Sequence, residues 1–535
     1  MSVPLGHRPE VGAGSSYRSE PHPSLLVRLR LPFLALLVLL GGCDGADPAL
    51  PMEEELITSL SVSVDPSGRA PLTAEALLST SRPVSVEVTV EGKGGAGTEI
   101  RHRFGAVERG HILPILGLYP GEATAVTLEL FSADGASLGT RDLSVVAPAL
   151  PADFPEVTID VAPSGTLQPG LTLVSYFGHA GSATPQRAFA FDVTGAIRWA
   201  LDFSGDATLG GLFFDNGIER LANGNLYFGD GNTDRIYEVD MAGRVLRSWG
   251  MPGFTFHHNV LELPSGDFLV TVNRQGTATV EDHVIQIDRA SGAVETVWDL
   301  RQSLDPTRRA WPTDLADLDV DWFHGNALAY DPTDDTILVS GRTQGLVKLT
   351  RANEVVWILA PHRAWRSDLA AKLLQPLDAA GVPITDAAVL DGAVPHPEFE
   401  WSWYQHAPAI LADGSVALFD NGDNRGYQFP GTYSRAVVYR IDAKARTIQQ
   451  VWEYGRERGA ETFSRIVSDV DEHPEAGTIL FAPGAVASPG GPVGRIVEVD
   501  RATRAVRFEA TVRAPQVPFG ITFHRVERLP LYPDL

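Results

Sequence analysis

From about residue 156 onward the chain repeats one pattern, and that repetition limits the folds open to it more than any other feature. Each copy reads as a strand, a turn at Gly or Asp, an apolar strand, a short apolar run ending in Asp or Thr, and a strand carrying Trp or Phe. Ala190-Phe191-Asp192 leads to Trp199, and Tyr237-Glu238-Val239-Asp240 to Trp249. Ile285-Gln286-Ile287-Asp288 leads to Trp298, and Val347-Lys348-Leu349-Thr350 to Trp357. Tyr439-Arg440-Ile441-Asp442 leads to Trp452, and Ile496-Val497-Glu498-Val499-Asp500 to Phe508. About six units of roughly 40–55 residues match the period of propeller blades. Several strands per unit, with almost no helical periodicity, exclude helical solenoids. The expectation is a six-bladed β-propeller over residues 156–535, with Trp249, Trp298, Trp357 and Trp452 in the blade cores. One helical stretch is expected near Trp365 to Leu377, as an insertion between blades. The last strand, residues 520–526, is expected to complete the first blade, closing the ring and removing an exposed sheet edge.

Ahead of the repeats, residues 55–147 alternate at period 2. Ser59-Leu60-Ser61-Val62-Ser63-Val64 and Val84-Ser85-Val86-Glu87-Val88-Thr89-Val90 are the clearest half-buried strands. About seven short strands in this span predict a small immunoglobulin-like β-sandwich. The proline-containing residues 147–154 read as the link to the propeller. The class is therefore all-β.

Residues 1–43 have the form of an export signal. Arg28 and Arg30 precede an apolar run that ends in Leu40-Gly41-Gly42-Cys43. The run is too short for a membrane-spanning helix. Cys43 is the chain's one cysteine and stands where a lipobox needs it. The expectation is a lipidated, membrane-anchored protein of the periplasm or cell envelope, with residues 44–54 as linker. With no second cysteine there is no internal disulfide, so packing must hold the fold. A formal net charge of −24 argues against nucleic-acid binding, which wants a basic face. It leaves room for a local cationic pocket.

Histidines recur at matching places in the repeats. Phe256-His257-His258-Asn259, Asp321-Trp322-Phe323-His324-Gly325-Asn326-Ala327 and Gln405-His406 each stand at the start of an inner-strand pattern. Aligned on the following turn, His258 and His406 fall at one level. His324 aligns with one extra residue, so either His257 or His258 is its counterpart, and the turn alignment leans to His258. Arg342 ends the strand after His324. Arg425 follows the turn Asp420-Asn421-Gly422. Imidazole is a nucleophile and an acid or base near neutral pH, and arginine is a permanent fork of donors for a tetrahedral oxyanion. Such a set suits covalent transfer of a sulfuryl or phosphoryl group. Three histidines can also bind zinc, but no HExxH spacing is present. The aspartates at 314, 317, 319 and 321 lack EF-hand spacing and read as a solvated loop. His524 reads as structural.

These motifs, together with Ser340-Gly341-Arg342, Tyr433-Ser434-Arg435-Ala436 and Leu113-Pro114-Ile115-Leu116-Gly117-Leu118-Tyr119-Pro120, resemble the bacterial arylsulfate sulfotransferase family over nearly the whole mature chain. The resemblance implies an exported six-bladed propeller that moves a sulfuryl group from a phenolic sulfate ester to a phenol. It implies a ping-pong mechanism through a sulfohistidine at His406, without a nucleotide sulfate donor; no cofactor and no metal are expected. His324, Arg342 and His258 (or His257) would bind the sulfuryl oxygens and manage the phenol proton. Trp322, Asn326, Trp403, Tyr404, Asn421 and Arg425 are the candidate substrate-binding residues. Asn259 stands where the resemblance leads one to expect aspartate. Two other readings stay open: a non-catalytic, lipid-anchored propeller that binds or scaffolds, and a metal- or quinone-dependent propeller enzyme. Oligomeric state is not legible in these residues.

Overall fold

The computed structural model describes residues 56–533 except 96, 178–185, 214–216, 311–312, 430 and 517–519. The export signal, Cys43 and the linker at 44–54 lie outside the described residues. Among the described residues the strands form seven sheets, one N-terminal and six arranged as propeller blades.

The N-terminal sheet holds five strands where seven were expected. Two of them are long, Thr73–Val90 and Ile100–Leu116. The first pairs with Ile57–Val64 through its first half and with Ala123–Phe131 through its second. Register shifts at Ser79/Val84 and Val84/Val86 bend it between those partners. A bulge bends a strand without ending it, so stretches that read as separate strands are one.

Blade 1 comprises Leu171–Phe177, Arg187–Phe191 and Ile197–Asp202, with Thr522–Leu529 as its innermost strand. Blade 2 runs from Glu219–Arg220 to Val245–Gly250, blade 3 from Phe254–Glu262 to Val294–Asp299, and blade 4 from Gly325–Asp331 to Val355–Leu359. Blade 5 runs from His406–Ile410 to Thr447–Tyr454, and blade 6 from Asp469–His473 to Val506–Arg513. The closing strand is where the repeat placed it. A second closure was not foreseen: Glu156–Val161 pairs with Val506–Arg513 as a fifth strand of blade 6. The chain therefore enters on the outside of the last blade and leaves on the inside of the first.

The expected helix near Trp365 is a single four-residue turn, Ser367–Ala370. Gln375–Leu377 is instead a strand pairing in parallel with Thr447–Gln449 of blade 5. Pro376 lacks the N–H that a helix interior needs, and it sits on the sheet edge, where a proline is tolerated.

Two side-chain devices repeat around the ring. Outer-strand tryptophans are buried and donate their indole N–H to a turn of the next blade. Trp199 bonds Met241 O, Trp249 bonds Arg289 O, Trp298 bonds Thr350 O and Trp452 bonds Arg501 O, at 2.8–2.9 Å. Near the axis, one polar side chain per blade reaches the backbone of the next. Asn259 Oδ1 accepts from Leu328 N, Asn326 Nδ2 donates to Gln405 O, Asn421 Nδ2 donates to Ser464 O, and Asp469 Oδ2 accepts from Val526 N. These side chains satisfy backbone groups that the bulged inner strands leave unpaired.

Candidate active site

The inner strands of blades 3, 4, 5 and 1 each lose register at the same level: between Phe256 and Val260, Gly325 and Ala327, His406 and Ala409, and Phe523 and Val526. An extra residue there re-aims a side chain and bends the strand. His258, His324, Tyr404 and Ala407 take positive φ values of 47–57°. Non-glycine residues rarely adopt that conformation, and when they do it is often at functional sites. Gly341 permits a close approach at this level: a Cβ there would lie 2.7 Å from the ring of Phe323, the residue before His324.

The bulges bring His258, His324, His406 and His524 together. Ring centroids of His258 lie 4.9 Å from His324 and 5.8 Å from His524, and His406 lies 5.9 Å from His524. All four are buried, as is Arg342. Arg342 N–H donates to His324 O at 3.1 Å, which locks the two residues together. His257 lies behind His258, with their Nδ1 atoms 3.2 Å apart.

His406 is held in one tautomer. Its Nδ1 is 2.8 Å from Asn421 Oδ1 and 3.0 Å from Tyr404 O. The Asn421 amide is oriented by its own N–H bonds to Ser464 O and Val467 O. Both neighbours of Nδ1 are acceptors, so Nδ1 carries the proton and Nε2 keeps its lone pair. Asn326 Nδ2 lies 3.2 Å from that Nε2. Burial, then Arg342, push the His406 pKa well below its usual value, so the ring is neutral at neutral pH. The same balance holds His524 neutral, with burial the leading cause.

His324 goes the other way. Burial and Arg342 oppose its charge, but Glu281 and Asp321 outweigh them and raise its pKa. Its Nδ1 is 2.5 Å from Asp321 Oδ2 and 2.8 Å from Glu281 Oε2. Its Nε2 is buried and has no hydrogen-bond partner among the described residues. Glu281 is half-buried with its Oε2 out of reach of solvent; the cost of that desolvation is outweighed by His324 and His258, which hold its pKa well below the carboxylate range. It is held in place by three contacts: its N–H donates to Asn273 Oδ1, its carbonyl accepts from Gly325 N, and its neighbour Asp282 accepts from Trp322 Nε1 at 2.9 Å.

The remaining sequence candidates fall into different surroundings. Trp322 is buried in the core between blades 3 and 4, where it anchors Asp282. Trp403 and Tyr404 pack in a small buried cluster with Ala310, and Tyr427 meets Trp403 edge-on at 5.2 Å. Asn326 and Asn421 both contact His406. Arg425 pairs with Asp420 at 2.9 Å and Glu400 at 3.2 Å beneath the ring of Tyr433, lining a separate cavity of about 220 Å³ with Trp401 and Trp403. Sequence reasoning missed Glu281, Asp321 and His524 as neighbours of the cluster. Asp321 had a signal, three residues before His324. Phe523-His524-Arg525 echoes Phe256-His257-His258 at the same strand position. For Glu281, between strands of blade 3, no pattern in the chain points inward.

Fold and cluster together define a six-bladed propeller whose axis carries a buried histidine–arginine site, one imidazole with its pKa pushed well down and one with its pKa raised. The chain matches the Arylsulfotransferase (ASST) family over residues 157–517 and the Arylsulfotransferase Ig-like domain over residues 61–148. It is 33% identical to the arylsulfate sulfotransferase AssT of Escherichia coli O6:H1 (strain CFT073), covering 84% of this chain and 90% of that one. It is 30% identical to the arylsulfate sulfotransferase AssT of Lelliottia amnigena, covering 91% and 94%. Among solved structures, a streptogramin B lyase overlaps 67% of this chain and 97% of its own at 11% identity and a TM-score of 0.29. The chain belongs to the arylsulfotransferase family, and it is an enzyme of the transferase class.

Proposed function

We propose that the protein transfers a sulfuryl group from a phenolic sulfate ester to a phenol in two steps through a sulfohistidine on His406. The observation that carries this reading is the fixed tautomer of a buried, neutral His406, close enough to Arg342 and His324 for both to weigh on its charge, with the pKa of His324 raised. In the first step Nε2 attacks sulfur, the bond from sulfur to the aryl oxygen breaks, and the leaving oxygen takes the proton from His324 Nε2. Arg342, His258 and the Asn326 amide serve the sulfuryl oxygens, where charge must be balanced as the bond changes hands. In the second step His324 accepts the proton of the acceptor phenol. The phenol oxygen attacks sulfur, and His406 is released neutral. Glu281 and Asp321 favour the charged form of His324 that the first step uses.

The reading extends to location. The Leu40-Gly41-Gly42-Cys43 sequence supports export and lipid anchoring at Cys43, with catalysis in the periplasm or cell envelope. Membrane fractionation of wild type against Cys43→Ala tests this, the variant being expected in the soluble fraction.

Incubation with an aryl sulfate, followed by peptide mass spectrometry, tests the chemistry. A mass gain of one sulfuryl group on the His406 peptide is expected, discharged by added phenol. His406→Ala is expected to lose turnover by more than about a thousandfold with an unchanged thermal melt. Equal turnover in that variant, or an adduct elsewhere, would reject the assignment.

A further inference from the structure

His257 and His258 turn their Nδ1 atoms toward each other at 3.2 Å. Glu281 Oε2 lies 3.7 Å from His258 Nδ1, and the three ligand atoms fall within 4.8 Å of one another. Glu281 Oε2 is buried and accepts no hydrogen bond among the described residues, its contacts being ion pairs with His324 and His258. Asp321 holds the Nδ1 proton of His324 at the shorter distance, 2.5 Å against 2.8 Å. One ring nitrogen thus meets two carboxylates, and the second is left over. Two imidazole nitrogens and a surplus carboxylate facing one point is a ligand set for a cation with affinity for nitrogen and oxygen. Zinc bonds such ligands at about 2.0–2.2 Å in tetrahedral geometry, which sets ligand atoms roughly 3.3–3.5 Å apart. The two measured edges bracket that spacing.

We propose that His257, His258 and Glu281 form a divalent transition-metal site, with zinc the fitting ion, held by both Nδ1 atoms and one carboxylate oxygen. Three protein ligands leave a fourth position open. The neighbouring group of Glu281, Asp321 and His324 is excluded because the His324 nitrogen it would use is committed to Asp321. Binding requires both Nδ1 lone pairs, whereas a hydrogen bond between the two nitrogens needs a proton on one of them. The proton of that bond therefore moves to an Nε2 when the ion binds, a change of tautomer with no net release. Occupancy draws on His258 and Glu281, which belong to the sulfuryl site, so the ion and an aryl sulfate compete.

Metal-free full-length protein titrated with zinc against a chromophoric chelator tests this without any assay of activity. One zinc per chain is expected, bound with micromolar affinity or better. Cobalt in its place is expected to give the intense visible bands of a tetrahedral N/O site. His257→Gln and Glu281→Gln are each expected to weaken binding at least tenfold, and His406→Ala to leave it unchanged. Circular dichroism melts establish that each variant is folded. If folded His257→Gln and Glu281→Gln bind zinc like the wild type, or if the wild type binds none at micromolar metal, the assignment is wrong. Because the readout is metal binding, it stands or falls independently of whether His406 carries a sulfuryl group.

Discussion

His324 is set between opposing influences. Burial and Arg342 disfavour its charge, while Glu281 and Asp321 favour it and prevail. A raised histidine pKa means the charged form persists below that pKa and is lost as pH rises through it. The first half-reaction, which draws its proton from His324, is therefore expected to fade on the alkaline side. Glu281→Gln removes one favouring charge, so the alkaline limb of donor turnover is expected to move about one pH unit lower. A pH–rate profile of the variant against wild type measures it, and an unmoved limb would remove Glu281 from this role. His406, held well below its ordinary value, stays neutral across the same range and adds no acidic limb near neutrality. His406 and His324 were singled out because they stand in local motifs at the start of inner strands, and Arg342 because it ends the strand that follows His324. The tautomer of His406 was not, since Asn421 is fifteen residues away and is itself oriented from blade 6.

At the level of elements, the site is made by bulges and the ring by its closing strands. Thr522–Leu529 supplies the inner edge of blade 1, His524 for the cluster, and the Val526 N–H that Asp469 accepts from blade 6. A chain ended at Gly520 is expected to lose cooperative folding, leaving an unpaired edge on Leu171–Phe177 and a buried carboxylate on Asp469 without its donor. A thermal melt by circular dichroism reads this, and a cooperative transition near that of the full chain would contradict it. The blades and the closing strand followed from period and alternation. The helix expected near Trp365 stops after one turn, Ser367–Ala370, because Pro376 bars its continuation and because Gln375–Leu377 finds a partner in Thr447–Gln449, which local pattern does not reveal.

Across the whole molecule, the N-terminal domain and the propeller share one core, which runs from Leu78 and Val88 through Phe189 to Ile496 and Phe523. Arg198, in the outer strand of blade 1, crosses that boundary. Fully buried, it donates to Gly117 O at 2.8 Å, Thr98 O at 2.6 Å and Tyr119 Oη at 2.9 Å, and pairs with Asp192 at 3.2 Å. At the other end of the chain, Tyr532 donates to Pro114 O and accepts from Leu116 N. The stretch 113–120, singled out in the sequence, is thus a docking strip for the propeller. Arg198→Ala strands Asp192 and several carbonyls in the interior and is expected to destabilise the protein by about 3–5 kcal/mol. Denaturant unfolding followed by tryptophan fluorescence measures this. A change under about 1 kcal/mol would mean water replaces the guanidinium.

What this sequence determined by itself is what repeats or alternates: strands of period 2, about six copies of one unit, a tryptophan or phenylalanine per blade, and histidines at one level of the inner strands. Such features depend on near neighbours along the chain, so a local reading recovers them. Only the tertiary structure decided which groups surround each histidine. Glu281, Asp321, Asn421 and His524 come from strands or loops in four different blades, joined at the axis by register shifts of one or two residues. Protonation follows from burial and from charges a few ångströms away in space. The same imidazole side chain therefore has its pKa pushed down at 406 and raised at 324, a difference no position along the chain could reveal.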